Sequence, residues 1–298
     1  MEKEISLKNA KIAFEQADYL KAKAQLEVLY GENQTFTVNY LLFQVLVQLN
    51  ELTSAMQIAN DYLKEYIADN NKLQAYFEVV VAAGQQIFAW QLLQNLKQYM
   101  NDGEIAFFKQ ILEKADMKYQ TEHQREVNEL KRQYRYLGVN ELVVQRQLVK
   151  AAQALDYATY TTITSQLLKD DNINAFIRVN LLDELRKLDY AREVEFVDAF
   201  LNCHLLVPSE LAELEKMASY QVMQNSLLAD TNLTDNQKML FWKDLTLKMI
   251  LLYPTNEQFL SSESNWYEIL LNDKTCEMSS KETKMRDILE AEVQKWQV

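Results

Sequence analysis

Residues 10–26 read AKIAFEQADYLKAKAQL. Ile5, Ala10, Ala13 and Phe14 recur at helical spacing, and Leu20, Ala24, Leu26 and Leu29 do so again beyond Asp18-Tyr19. Two short amphipathic helices joined at a dipeptide make a helical hairpin. The pair Asp-Tyr returns at Asp156-Tyr157 and Asp189-Tyr190, with related breaks at Glu51-Leu52 and Gln85-Gln86. A beat in the low thirties, built from two helices, is the signature of stacked helical hairpins.

Composition supports that reading. The 298 residues contain only four Gly and two Pro. Sheets reverse direction through turn residues, and phosphate-cradling loops need Gly for close backbone approach, so both are disfavoured. The expected fold class is all-α. A 48% hydrophobic content is that of a folded chain. With 31 basic and 43 acidic residues the net charge is −12, which speaks against a polyanion partner, hence no nucleic acid. Arg125, Lys131, Arg132 and Arg135 share their helix with Glu122, Glu126 and Glu129, the mixture of an exposed face with internal ion pairs. Cys203 and Cys276 follow no metal or disulfide spacing. The first residues lack the apolar segment of a signal peptide, and no apolar run approaches the roughly 20 residues of a membrane span. A soluble, cytoplasmic protein without membrane association is expected.

Hairpins are expected over about 1–31, 35–67 and 72–100, turning near Asp18, Asn50-Glu51 and Gly84, with Gly31 ending the first. Two longer helices, about 103–116 and 119–137, should end at Gly138, and two further hairpins should cover 140–168 and 172–206. Beyond Pro208 the texture changes: Ser209 reads as the N-cap of a helix over 209–229, and Thr234/Gln237, Thr255/Gln258 and Ser279/Glu282 fit capping boxes. The expected division is a repeat array over 1–206 and a C-terminal helical continuation or cap over 207–298, with Ile288, Val293 and Trp296 of the last helix capping the array's end.

Ala10, Ala17, Asp18, Tyr19, Ala22 and Leu26 resemble the pattern of the tetratricopeptide repeat, a helix-turn-helix unit of 34 residues. Ala22, Ala55 and Ala89 occupy the small position of successive second helices, but Phe43, Phe77, Leu148 and Leu181 are large where the first helix is usually small. The resemblance covers about two-thirds of the chain. It implies antiparallel hairpins stacked as a right-handed TPR-like α-solenoid whose first helices line a concave groove. Projecting that phase places Lys11, Tyr40, Gln44, Gln48, Gln74, Glu78, Gln145, Arg178 and Arg186 on the groove wall. The family's clamp for a C-terminal carboxylate needs several Lys, Arg and Asn residues; only Lys11 is present, so that specificity is not implied.

Catalytic signals are thin. His123 and His204 are the only histidines, and no zinc, di-iron or phosphate-loop pattern includes them. Glu122, His123 and Glu126 read as a solvated helix surface. Cys203 and His204, adjacent on an expected helix, would diverge by about 100° and could not act as nucleophile and base; Cys203 is expected to be buried in that helix. No catalytic residue, cofactor or metal is expected. The leading reading is a non-enzymatic scaffold binding a protein or peptide in its groove. The alternatives are a regulatory peptide sensor built on the same array and, third, an all-α enzyme.

Overall fold

The computed structural model describes residues 2–260, 266–271 and 278–297. The polar stretch 272–280, which the sequence marks as a linker candidate, falls largely outside them. The chain is predominantly helical and divides into two compact units, residues 1–129 with 152–157, and residues 130–151 with 158–298. Pro208 therefore lies inside the second unit.

The first unit contains α1 (Glu2–Glu15), α2 (Tyr19–Glu32), α3 (Phe36–Gln48), α4 (Leu52–Asn60), α5 (Leu63–Ile67), α6 (Asn70–Ala82), α7 (Gln86–Leu96) and α8 (Asp102–Glu122). Packing follows chain order: α1 on α2, α2 on α3, α3 on α4, α4 on α6, then α6 and α7 on α8. Three of the joints share one backbone device. Ala17, Asn50 and Gly84, spaced 33 and 34 residues apart, sit in the left-handed region at φ 57°, 58° and 77°. Each places two N–H groups on the carbonyls of the helix just ended. Asp18 N donates to Ala13 O at 2.9 Å and Ala17 N to Phe14 O at 3.0 Å. Glu51 N to Leu46 O and Gln85 N to Val80 O repeat the longer bond at 2.9 and 3.1 Å. This is the Schellman closure, which satisfies carbonyls that a helix end otherwise leaves open.

The same closure ends a later helix at Asp189, φ 56°. There the left-handed residue is the Asp of the Asp-Tyr pair, whereas in the first hairpin it is the residue before it. At Asp156 the chain instead turns through a 3-10 segment, Ala152–Ala154. The 33-residue separation of Asp156 and Asp189 is thus not a repeat of equivalent turns. Gly31 does not end its helix by a left-handed turn either; α2 runs on to Glu32, and Gly84 is the positive-φ glycine.

Ala22, Ala55 and Ala89 are fully buried, as expected where helices approach closely. Lengthening one of them has no space to enter. Ala55→Leu is expected to cost about 1–3 kcal/mol by overpacking, read as a lower urea midpoint, whereas Ala24→Leu on the exposed side of α2 should leave the midpoint unchanged. Equal midpoints for the two variants would contradict this packing.

The stretch expected as two helices breaking near 117 is one 21-residue helix, α8, capped by an Asn101–Glu104 capping box. It breaks at His123, and α9 (Gln124–Arg135) runs across the division between the units. The second unit continues with α10 (Leu142–Ala151), α11 (Tyr157–Leu167) and α12 (Ala175–Lys187). Here the structure departs from an all-helical reading. Instead of a second helix after α12, β1 (Val194–Val197) and β2 (Cys203–Leu206) form an antiparallel hairpin. Cys203 is exposed on a strand, not buried in a helix. The region after Pro208 makes two 3-10 turns before α13 (Ala218–Ala229), so Ser209 caps no long helix.

The remaining helices are α14 (Asp235–Leu252), α15 (Glu257–Leu260), α16 (Trp266–Leu270) and α17 (Ser280–Gln297). The Thr234–Gln237 box is formed, as is that of Ser279 and Glu282, with Ser279 N donating to Glu282 Oε2 at 2.7 Å. Thr255 instead returns its hydroxyl to Leu252 O. Helix α17 packs on α14 and α16. The fully buried Lys248 of α14 holds it there: its ammonium meets Asp244 at 2.7 Å, Leu270 O at 2.6 Å, and Glu290 of α17. Trp296, at the far end of α17, lies 5.0 Å from the Phe176 ring and under the Arg146 guanidinium at 3.9 Å. The apolar stripe of α17 is therefore used within this unit.

Candidate functional site

In the first unit the projected groove residues fall on the first helix of each hairpin, as their phase requires. Lys11, Gln48 and Glu78 are exposed, and Tyr40, Gln44 and Gln74 are half-buried. Tyr40, Gln44 and Gln48 are separated by four residues and line one face of α3. Gln74 and Glu78 do the same on α6, where the amide donates to the carboxylate at 2.9 Å. The two helices are linked at their surface by Lys72, whose ammonium stands 5.6 Å from the Tyr40 ring and 5.9 Å from the Phe36 ring. Asp69 pairs with the same ammonium.

Beneath that surface is an aromatic cluster. Tyr40 stacks with Phe43 at 6.1 Å and meets the edge of Tyr66 at 5.7 Å. The buried hydroxyls are spent on a closed network: Tyr66 donates to Asn39 Oδ1, Asn39 donates to Tyr30 Oη and Ile58 O, and Tyr30 donates to Asp61. Burial, then the Asp61 carboxylate, push the Tyr30 phenol up to about 12, so it stays a donor. Fully satisfied polar networks fix side-chain positions. The half-buried Tyr40 is thereby held on a rigid base with its rim accessible.

In the second unit three projected residues have other employment. Gln145 is buried and bridges loops, donating to Asn140 O and Asn172 O and accepting from Asn174 N. Arg178 is 2% exposed and clasps backbone carbonyls: Nε reaches Val197 O at 2.8 Å, Nη2 reaches Asp198 O at 3.1 Å, and Nη1 serves Asp170 O, Asp171 O and Ile173 O. Neither is a free groove side chain, because the loops around α12 offer uncapped carbonyls that need buried donors. Arg186 is half-buried and paired with Asp183 at 2.7 Å and Glu213 at 3.7 Å.

This unit also contains a cleft of about 1410 Å³ between the start of α12, the β-hairpin turn and α17. One wall carries Lys281, Lys284, Met285 and Ile288 of α17; the hairpin supplies Asn202 and His204. Sequence reasoning missed His204's setting, because the strand was read as a helix. Asp198 accepts from Phe200 N at 2.8 Å, Asn202 N at 2.9 Å and Asn202 Nδ2 at 3.0 Å, and holds His204 Nε2 at 2.8 Å. The pair orients one ring nitrogen, but a carboxylate with four partners of its own hairpin is first a turn staple. Cys203 and His204 point to opposite faces of a strand, so they form no nucleophile–base couple. Among the described residues no group of three or more His, Cys, Asp or Glu stands together as a metal site, and no helix is long and apolar enough to cross a membrane.

Family models, curated proteins and solved structures were all searched for likenesses to this chain, and none matches.

Proposed function

We propose that the protein is a non-enzymatic helical-repeat module that binds an extended protein or peptide segment along the first helices of its N-terminal unit. The observation that carries the reading is the recurrence of one turn geometry at Ala17, Asn50 and Gly84 at spacings of 33 and 34 residues. Identical closures at a constant interval set successive hairpins in one phase, as in a TPR-like right-handed solenoid. Equivalent faces of α1, α3 and α6 then form one surface, with Lys11, Tyr40, Gln44, Gln48, Gln74 and Glu78 on it. Amide-rich, mixed-charge walls suit hydrogen bonding to an extended backbone better than to a polyanion. Pre-set hairpins also spare ordering cost on association.

Screening the full chain against a peptide library, followed by titration of the best ligand, tests this. Glu78→Lys and Tyr40→Ala should each weaken binding at least about tenfold, roughly 1.4 kcal/mol, with the helical signal unchanged. The absence of any saturable ligand, or a ligand indifferent to both substitutions, would sink the proposal.

A further inference from the structure

One face of α17 looks onto open space. Lys281, Lys284, Met285, Ile288, Glu292 and Lys295 all line the cleft of about 1410 Å³, and their spacing is that of a single helix face. The opposite face carries the buried Leu289 and Val293 and packs on α14 and α16. From 281 to 295 the helix rises about 21 Å. The cleft is therefore a trough as long as about six extended residues. Its volume also exceeds the roughly 300–1,000 Å³ of ordinary small-molecule pockets. Trp296 lies against Phe176 of α12 at 5.0 Å, which puts Lys281 and Lys284 at the far end.

Charge in the trough is unevenly committed. Each acid that lines it has a partner of its own. Asp198 has His204 and three N–H groups, and Glu292 has Lys295 at 2.6 Å. Glu282 accepts from Ser279 N at 2.7 Å, and Asp171 from Asn172 Nδ2 at 3.4 Å. Lys281 and Lys284 have no partner among the described residues. The buried Arg178 guanidinium, also in the lining, bonds to backbone carbonyls, so no carboxylate in contact cancels its charge. The first residues of α10, α12 and α17 line the trough as well, and the positive ends of their dipoles add to the ammonium groups. On a chain of net charge −12 such a place attracts an anion that the rest of the surface repels. Neutral groups complete the lining. Asn140, Asn172 and Asn202 spend side-chain N–H groups on Tyr136 O, Asp170 Oδ1 and Asp198 Oδ2, and their amide oxygens remain as acceptors.

We propose that this trough binds an extended segment of another protein that carries acidic residues at one end and apolar residues behind them. The acidic side chains meet Lys281 and Lys284, which stand about one helical turn apart. Apolar side chains meet Met285 and Ile288 one turn further along, and backbone N–H groups meet the amide oxygens. The site lies wholly in the second unit and is separate from the surface of α1, α3 and α6. A basic segment leaves both ammonium groups unpaired. A bare inorganic anion leaves the apolar stretch unfilled.

The test titrates the full chain with a labelled hexapeptide library holding two glutamates at either end and varied leucine, valine and serine behind them. Matched sets carry lysine in place of glutamate, or serine in place of every apolar residue. Saturable binding is expected from acidic–apolar members, weakening as salt rises. Lys281→Glu with Lys284→Glu should weaken it at least about tenfold. Lys150→Glu with Lys243→Glu, the same charge change at exposed positions outside the trough, should not. Met285→Ser should erase the preference for apolar members over their all-serine counterparts. No saturable binding, equal binding of acidic and basic members, or an affinity indifferent to the Lys281 and Lys284 pair would overturn the proposal. So would inorganic phosphate displacing the peptide at equal concentration, or sedimentation showing a second copy of the chain held by the same two lysines.

Discussion

Replacing Arg178 with methionine is expected to destabilise the second unit by about 3–5 kcal/mol, because several backbone carbonyls lose their donor at once. The side chain is 2% exposed and its guanidinium donates to the carbonyls of Asp170, Asp171, Ile173, Val197 and Asp198. Each carbonyl left buried without a donor costs about 1–3 kcal/mol. Lysine keeps the charge and not the fork, so Arg178→Lys should recover only a small part of the loss. Urea unfolding followed by tryptophan emission reads this unit well, because Trp242, Trp266 and Trp296 all lie in it. A loss under about 1 kcal/mol for methionine, or full rescue by lysine, would show that the clasp does not hold the β-hairpin to α12.

Asp116→Asn is expected to act in the opposite direction, stabilising the first unit above neutral pH. Asp116 is buried on α8, accepts from Trp90 Nε1 at 2.8 Å, and its other oxygen has no hydrogen-bond partner among the described residues. Burial pushes its carboxyl up to about 7; the Trp90 bond opposes that, and the Asp156 and Glu113 carboxylates add to it. The folded protein therefore keeps this proton up to about pH 7, whereas the unfolded chain releases it near 3.8. Between those values the native state binds more protons, so stability falls as pH rises across the window and is level above it. At about 1.4 kcal/mol per unit the separation sets a ceiling of about 4 kcal/mol, and partial solvent access reduces it. Asparagine copies the protonated form and retains the acceptor for Trp90. Melts at pH 4 should be similar for the two proteins, and at pH 8 the variant should be ahead by about 1–3 kcal/mol. A variant that is less stable at pH 8, or parallel pH profiles, would mean that the Asp116 carboxylate is ionised and compensated in the fold.

Much of the helical layout can be read from residues because it depends on local chemistry. The breaks at Asp18, Glu51 and Gln85 coincide with the starts of α2, α4 and α7. At Gly84 and Asn50 the left-handed residue is of a type that favours that region; Ala17 is not, and its turn is legible only from the neighbouring Asp18-Tyr19 pair. The boxes at Thr234 and Ser279 were legible for the same local reason. The β-hairpin was not. Its apolar residues at 194, 197 and 201 suit a helix as well as a strand, and its left-handed turn residue is Leu201, φ 63°, in place of the usual Gly or Asn. The readable signal was Asp198 with Asn202, two turn-forming side chains flanking that residue. Arg178 and Gln145 were misplaced for a different reason. Their burial is decided by unsatisfied carbonyls and amides in distant loops, to which helical phase is blind. Lys11, Gln48 and Glu78 have no such demand from distant loops and are exposed.

Partners are proposed to lie along the first helices of the N-terminal hairpins. A photo-crosslinking amino acid placed in living cells at Gln48 or Glu78, and as controls at Val28 of α2 or Gln57 of α4, addresses it directly; all four positions are exposed. One shared adduct is expected from Gln48 and Glu78 and none from Val28 or Gln57. Adducts from the second-helix positions alone, or with equal yield from both sets, would contradict it.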